Sequence, residues 1–135
     1  MKILLDTHAI IWALTDDPAL SKKAKAEILD SKNTIYYSLA SIWEIAIKNV
    51  KAPERCPYNE KEIADLCDKS GFLLLDITAV HIYGLRNLTI KPGKELYNHD
   101  PFDRILLSQA KSEGMKLFSH DTNFDNYDEK CVAKI

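Results

Sequence analysis

Five acidic residues of this sequence fall where an apolar segment ends or a helix begins. Asp6 follows Lys2-Ile3-Leu4-Leu5, and Asp121 follows Met115-Lys116-Leu117-Phe118 with Ser119-His120 between. Glu44 lies one turn into "SIWEIAIK". Asp100 and Asp103, in "NHDPFDRILLSQA", are spaced i, i+3 and share a helix face. Each has a structural reading. Asp6 caps a helix, Asp121 makes an Asx turn, and Asp100 caps with Pro101 first and Asp103 third, much as in a capping box. Glu44 stands among Ile42, Trp43, Ile45 and Ile47, where a carboxylate is costly unless paired. Brought together, these acids repel, and some must stay protonated. No Lys or Arg run accompanies them, so a divalent cation is the natural neutraliser. Mg²⁺ takes one or two carboxylates and keeps waters, and Mn²⁺ suits the same hard site. Such an ion activates water and stabilises charge on phosphate, which points to metal-assisted phosphodiester hydrolysis.

The elements that must position these acids alternate. Residues 2–5 read as a strand, 7–14 as a helix ended by Asp16-Asp17-Pro18, and 21–30 as a helix with Ser21 as cap. Thr34-Ile35-Tyr36-Tyr37 is a strand, followed by a helix opening at Ser41 and a loop marked by Pro53 and Pro57. Residues 59–70 are helical, Phe72 to Leu75 a buried strand, and Thr78 caps a helix reaching about Leu88. Residues 89–99 read as a loop. A strong helix runs from Asp100-Pro101 to Glu113, closed by Gly114, then come a strand at 115–118 and a short one from Val132 to Ile135. The alternation predicts an α/β fold, with a parallel sheet covered on both faces. In such sheets ligands collect beyond the carboxyl ends of the strands, where the acids fall.

The totals set bounds. A chain of 135 residues suits one domain, 1–135, and 46% hydrophobic with 28% charged residues is ordinary for a soluble globular protein. The net charge of −2 and lack of a basic run do not fit a strong non-specific nucleic-acid binder. Cys56, Cys67 and Cys131 are odd in number and widely spaced, so reduced thiols in the cytoplasm are expected. The N-terminal apolar run is broken by Asp6 and His8, too short for a signal peptide or a span of ~18 apolar residues.

Other chemistries fit less well. His99-Asp100 and His120-Asp121 are HD pairs, but HD-type phosphohydrolases are all-helical, against the strands at 2–5, 34–37 and 72–75. A receiver domain wants paired acids after its first strand, and Asp6-Thr7-His8 has one; the D-x-D of haloacid-dehalogenase-type phosphatases fails at the same place. Trp12, Trp43, Tyr36, Tyr37 and Phe102 are expected in the core or an interface. Arg104 is expected to pair with Asp100 or Asp103, contact with a nucleic-acid phosphate being the alternative, and Lys48 and Lys51 to form a solvated face. Ile11 and Leu14 suit either core packing or a groove for a partner's helix.

Four segments, "LLDTHAIIWAL", "SLASIWEIAIK", "GFLLLDITAVHIYGL" and "HDPFDRILLSQAKSEGMKLFSHD", together resemble PIN-domain proteins, most closely the VapC toxins of bacterial toxin–antitoxin pairs. The resemblance runs in order over nearly the whole chain, with "ASIWEIAIK" and "DPFDRILLSQA" its specific parts. It implies a three-layer α/β/α fold with a central, mostly parallel sheet of four to five strands. The implied activity is that of an Mg²⁺- or Mn²⁺-dependent endoribonuclease, usually a homodimer and inhibited by a cognate VapB-like antitoxin. Matched position by position, the family's acids fall on Asp6, Glu44, Asp103 and Asp121, as metal-holding and catalytic residues. Asp100, Thr7 and Ser119 are implied as supporting neighbours. The lead-in "LTIKPGKELYNH" is longer and more charged than in such relatives, and the segment between Val50 and Gly71 is shorter; both bear on substrate and partner specificity. The alternative from another class is a catalytically inactive PIN-like module that acts only through complex formation.

Overall fold

The structure, a computed structural model, describes residues 1–94 and 100–135. Five strands form one sheet: β1 (Lys2–Leu5), β2 (Thr34–Ser38), β3 (Leu73–Leu75), β4 (Lys116–Ser119) and β5 (Val132–Lys134). Their order is β3-β2-β1-β4-β5 and every pairing is parallel. Six α-helices are described: α1 (Thr7–Thr15), α2 (Lys22–Leu29), α3 (Leu39–Lys51), α4 (Glu60–Lys69), α5 (Ala79–Tyr83) and α6 (Pro101–Glu113).

Strand alternation divides the core in two. Ile3, Leu5, Ile35, Tyr37 and Phe118 face one way and pack with Ala9 and Ile10 of α1, Ile45 of α3, and Ile63 and Cys67 of α4. Leu4 and Leu117 face the other way and pack with Leu106, Leu107 and Ala110 of α6 and with Phe124 and Tyr127. A sheet apolar on both faces is stable only when helices cover both, so the result is the expected three-layer α/β/α architecture.

The connectivity matters more for function than the layers do. From β1 the chain builds outward through β2 to β3, then returns to β1's other side for β4 and β5. The connections leaving β1 and β4 therefore diverge, and a crevice opens beyond the carboxyl ends of these neighbours. The Asp6 amide still bonds the Phe118 carbonyl at 3.1 Å, so the strands part immediately afterwards.

Several boundaries differ from the sequence reading. Helix α3 begins at Leu39, not Ser41: Ser38, the last residue of β2, is its cap, its Oγ accepting from the Ala40 amide at 3.0 Å. The strand passes into the helix with no loop, which a pattern of apolar residues cannot reveal. The strand expected from Phe72 to Leu75 is three residues long and lies at the sheet edge, with Leu73 and Leu74 49% and 46% exposed. The helix expected to reach Leu88 is α5 followed by a 3-10 turn, Gly84–Asn87. Gly84 is needed there, since a Cβ would meet Ser108 Oγ at 2.7 Å. Within the expected loop 89–99, Ile90 bridges Tyr127; Glu95 to His99 lie outside the described residues.

Candidate active site

Asp6 caps α1 as β1 ends. Its Oδ1 accepts from the Ala9 amide at 2.8 Å, and its Oδ2 accepts from Ser119 Oγ across the crevice. That hydroxyl also accepts from the Asp121 amide at 3.0 Å, so Ser119 ties together the acids that follow β1 and β4. Asp6 is 5% exposed. Burial pushes its carboxyl above the usual range, more strongly than Ser119 and Ala9 draw it down.

Glu44 enters from α3. Thr7 Oγ1 donates to its Oε1 at 2.6 Å and lies 3.0 Å from Ser41 Oγ, while Lys48 Nζ sits 2.7 Å from Oε2. The pairing that Glu44 needed is thus supplied by its own helix, one turn on. This corrects two expectations: Lys48 is not merely part of a solvated face, and the acids do have a cation beside them. Partial burial acts to lower the Lys48 ammonium, but the hydrogen bond and charge of Glu44, with Asp100 beyond, outweigh it and hold it above its ordinary value.

Helix α6 supplies two acids with different surroundings. Asp100 is its cap, Oδ1 accepting from the Phe102 amide at 2.7 Å. Asp103, one turn on, has neither a hydrogen-bond donor nor a cation against its carboxylate among the described residues. Burial first, then the charges of Asp100, Asp121, Glu44 and Asp6, push its carboxyl up to about 7. Arg104 does not relieve it. The guanidinium points away, donating to the Leu85 carbonyl at 3.0 Å and Tyr127 Oη at 3.3 Å, so the expected pairing with Asp100 or Asp103 is not made. Adjacent helix positions lie ~100° apart, which carries Arg104 off the face that Asp103 occupies.

Asp6, Glu44, Asp100, Asp103 and Asp121 line one cavity of ≈ 70 Å³, together with Thr7, His8 and Lys48. Asp121 makes the Asx turn read from sequence, accepting from the Asn123 amide at 2.9 Å. Among the described residues, no three His, Cys, Asp or Glu side chains form a ready-made metal cage. The donor set suits Mg²⁺ or Mn²⁺ all the same, because these ions take one or two carboxylates and fill the rest with water.

The remaining histidines are divided. His81 is fully buried and does not line the cavity, its Nδ1 accepting from the Thr78 amide and its Nε2 2.9 Å from Glu113 Oε1. His120 is exposed and lies 2.7 Å from the Ile135 carbonyl. His8 and Lys48 are the cavity residues given no site role from sequence. Lys48 was legible as Glu44's i+4 neighbour; His8 carried no signal beyond its nearness to Asp6.

The PIN domain family model matches residues 3–130. The chain belongs to the PIN domain family. No curated protein matches it in sequence. Among solved structures, this PIN domain is similar to VapBC2 from Rickettsia felis bound to a DNA fragment from their promoter, with 18% identity, TM-score 0.68, and 99% and 98% of the two chains covered. DNA-bound VapBC from Salmonella typhimurium gives 16% identity, TM-score 0.68 and the same coverage. FitAcB from Neisseria gonorrhoeae gives 23%, TM-score 0.53, and 98% and 96%. At these identities the likeness is one of fold. No helix among the described residues of this PIN domain is long and apolar enough to cross a membrane.

Proposed function

We propose that this PIN domain is a metal-dependent endoribonuclease, the toxin of a VapBC-like toxin–antitoxin pair in the cytoplasm. Asp6, Glu44, Asp103 and Asp121 would hold Mg²⁺ or Mn²⁺, with Asp100, Thr7 and Ser119 in support. One observation carries the reading: Asp103, without a neutralising partner among the described residues, is raised to about 7 in a cavity lined by four further acids. Structural ion clusters are normally satisfied from within; a strongly perturbed acid in a crevice marks a place built for something else. A bound divalent ion supplies the missing positive charge, an activated water and stabilisation of charge on phosphate.

The chain's own residues divide the remaining work. Ser119 fixes Asp6 and Asp121 relative to each other across the diverging strands. Thr7 and Lys48 hold Glu44 in one orientation, and Lys48 leaves a cation at the rim where a phosphate approaches. Asp103, with no donor among the described residues, is free to give up its proton and turn to a ligand.

The likeness to toxin–antitoxin complexes supports an antitoxin partner. Homodimerisation is supported by a stripe on α3, where Leu39, Trp43, Ile47 and Val50 recur at helical spacing and are 42%, 60%, 42% and 84% exposed. The second reading, an inactive binding module, draws on the caps: Asp6, Asp100 and Asp121 each have a backbone amide to accept from.

Cleavage decides between them. The purified chain is incubated with single-stranded RNA and Mg²⁺, beside an EDTA control and the Asp103→Asn and Asp6→Asn variants. Metal-dependent cleavage lost in both variants supports the nuclease. RNA left uncut with Mg²⁺ or Mn²⁺ supports the binding module.

A further inference from the structure

A second cavity, of ≈ 260 Å³, opens beside the carboxylates and shares Thr7, His8 and Lys48 with them. The lining is partly aromatic: His8 stacks on Trp12 with centroids 5.7 Å apart and planes inclined by 22°, and Tyr58 joins them. The rim is cationic, with Lys48 on α3 and Arg55 on the α3–α4 connection. The Arg55 side chain has no ion-pair or hydrogen-bond partner among the described residues. The connection itself is pinned: Asn49 Nδ2 donates to the Cys56 carbonyl at 2.8 Å, and the Cys56 amide to the Ala52 carbonyl at 3.1 Å.

We propose that this cavity receives one unpaired nucleobase of the strand whose phosphodiester lies at the carboxylates, and so selects the residue beside the cut. The inference rests on the nuclease reading above. Three features favour a base over a segment of protein. The cavity is smaller than the ~300–1,000 Å³ of sites for drug-sized ligands, which suits a ring system better than a helix face. Flat aromatic walls stack on any base, and recognition of single-stranded RNA uses aromatic and Arg planes in this way. Arg55, unpaired among the described residues, and Lys48, which shares its charge with Glu44, stand where the flanking phosphates of an anionic strand would pass, beside acids that would otherwise repel it.

The chain has two tryptophans, so Trp43→Phe leaves Trp12 as the single reporter. In that background, Trp12 fluorescence is followed with Mg²⁺ while each of the four ribonucleoside 5′-monophosphates, or ribose 5-phosphate, is added. The expected result is saturable quenching by at least one nucleotide and none by ribose 5-phosphate. Arg55→Ala and Tyr58→Ala should each weaken that binding about fivefold or more. Arg55 is exposed, so its variant serves even if Tyr58→Ala does not fold. Equal quenching by ribose 5-phosphate, or no quenching by any nucleotide, overturns the proposal, the latter giving the cavity to a protein segment. Monophosphates have no internucleotide bond to cut, so quenching without RNA cleavage would fail the nuclease and leave the base pocket standing. Cleavage of a random RNA pool with no base preference beside the cut, and no quenching, would do the reverse.

Discussion

Two polar clusters touch helix α6, and they are built on opposite terms. Around its middle, Ser38 Oγ donates to Gln109 Oε1 at 2.6 Å, Gln109 Nε2 donates to the Asp76 carbonyl at 3.2 Å, and Ser108 Oγ donates to the His81 carbonyl at 2.5 Å. His81 in turn meets Thr78 and Glu113. Ser38, His81, Ser108 and Gln109 are all essentially inaccessible, and every one has a partner. At the first turn of the same helix, Asp103 has acids for neighbours and no donor among the described residues. A satisfied network fixes how α5 and α6 dock on the sheet; an unsatisfied one stores an unfavourable interaction that a ligand can relieve.

The strongest way to break the contrast is to remove the charge at Asp103. Asp103→Asn is expected to lower Mg²⁺-stimulated RNA cleavage on the order of 10²-fold or more while the protein stays folded, read by initial rates beside circular dichroism. Gln109→Ala should behave in the opposite manner. It takes away the acceptor of the buried Ser38 hydroxyl and the side-chain donor to the Asp76 carbonyl, so unfolding stability should fall by about 2–3 kcal/mol in denaturant titrations. The cleavage rate per folded molecule should hold.

A smaller effect sharpens the comparison through pH. The Asp103 carboxyl sits at about 7 in the folded chain, against ~3.9 when unfolded. Between these values the native state binds the extra proton, so this residue makes stability fall as pH rises from about 4 to 7. Without metal, Asp103→Asn should therefore raise stability near pH 7.5 by about 1–2 kcal/mol, allowing for solvent screening of a part-exposed group, and leave it unchanged near pH 4. Thermal melts at the two pH values check this; equal shifts at both would show that the acid carries no such penalty. Smallest of all, Lys48→Met should tighten Mn²⁺ binding about two- to fivefold by calorimetry, since the ammonium then no longer competes for Glu44.

Much of this is legible in the sequence. Asp6 and Asp121 announce themselves because each follows a short apolar strand, and strand ends are where an α/β sheet presents ligands. Helix α6 reads cleanly because Asp100, Pro101 and Gly114 mark its ends with local chemistry. What was missed depends on packing. The sequence does not say which side of α3 meets the crevice, so Lys48 passed for a solvent residue although Glu44 stands four positions before it. The direction of Arg104 is not legible either, because nearness in sequence to two acids is not nearness in space on a helix. The three leucines of β3 read as buried, but strand order, which decides that β3 has a single neighbour, is not written in any one segment.

The gap between β1 and β4 follows from the path of the chain, not from the shape of particular side chains. A groove of that origin survives almost any substitution that keeps the strands in order. Structures sharing only 16–23% of their residues with this chain retain its architecture, and so inherit the same vacancy to furnish. What such proteins do can therefore be rewritten by changing a handful of side chains at the mouth, with the scaffold behind them left as it is.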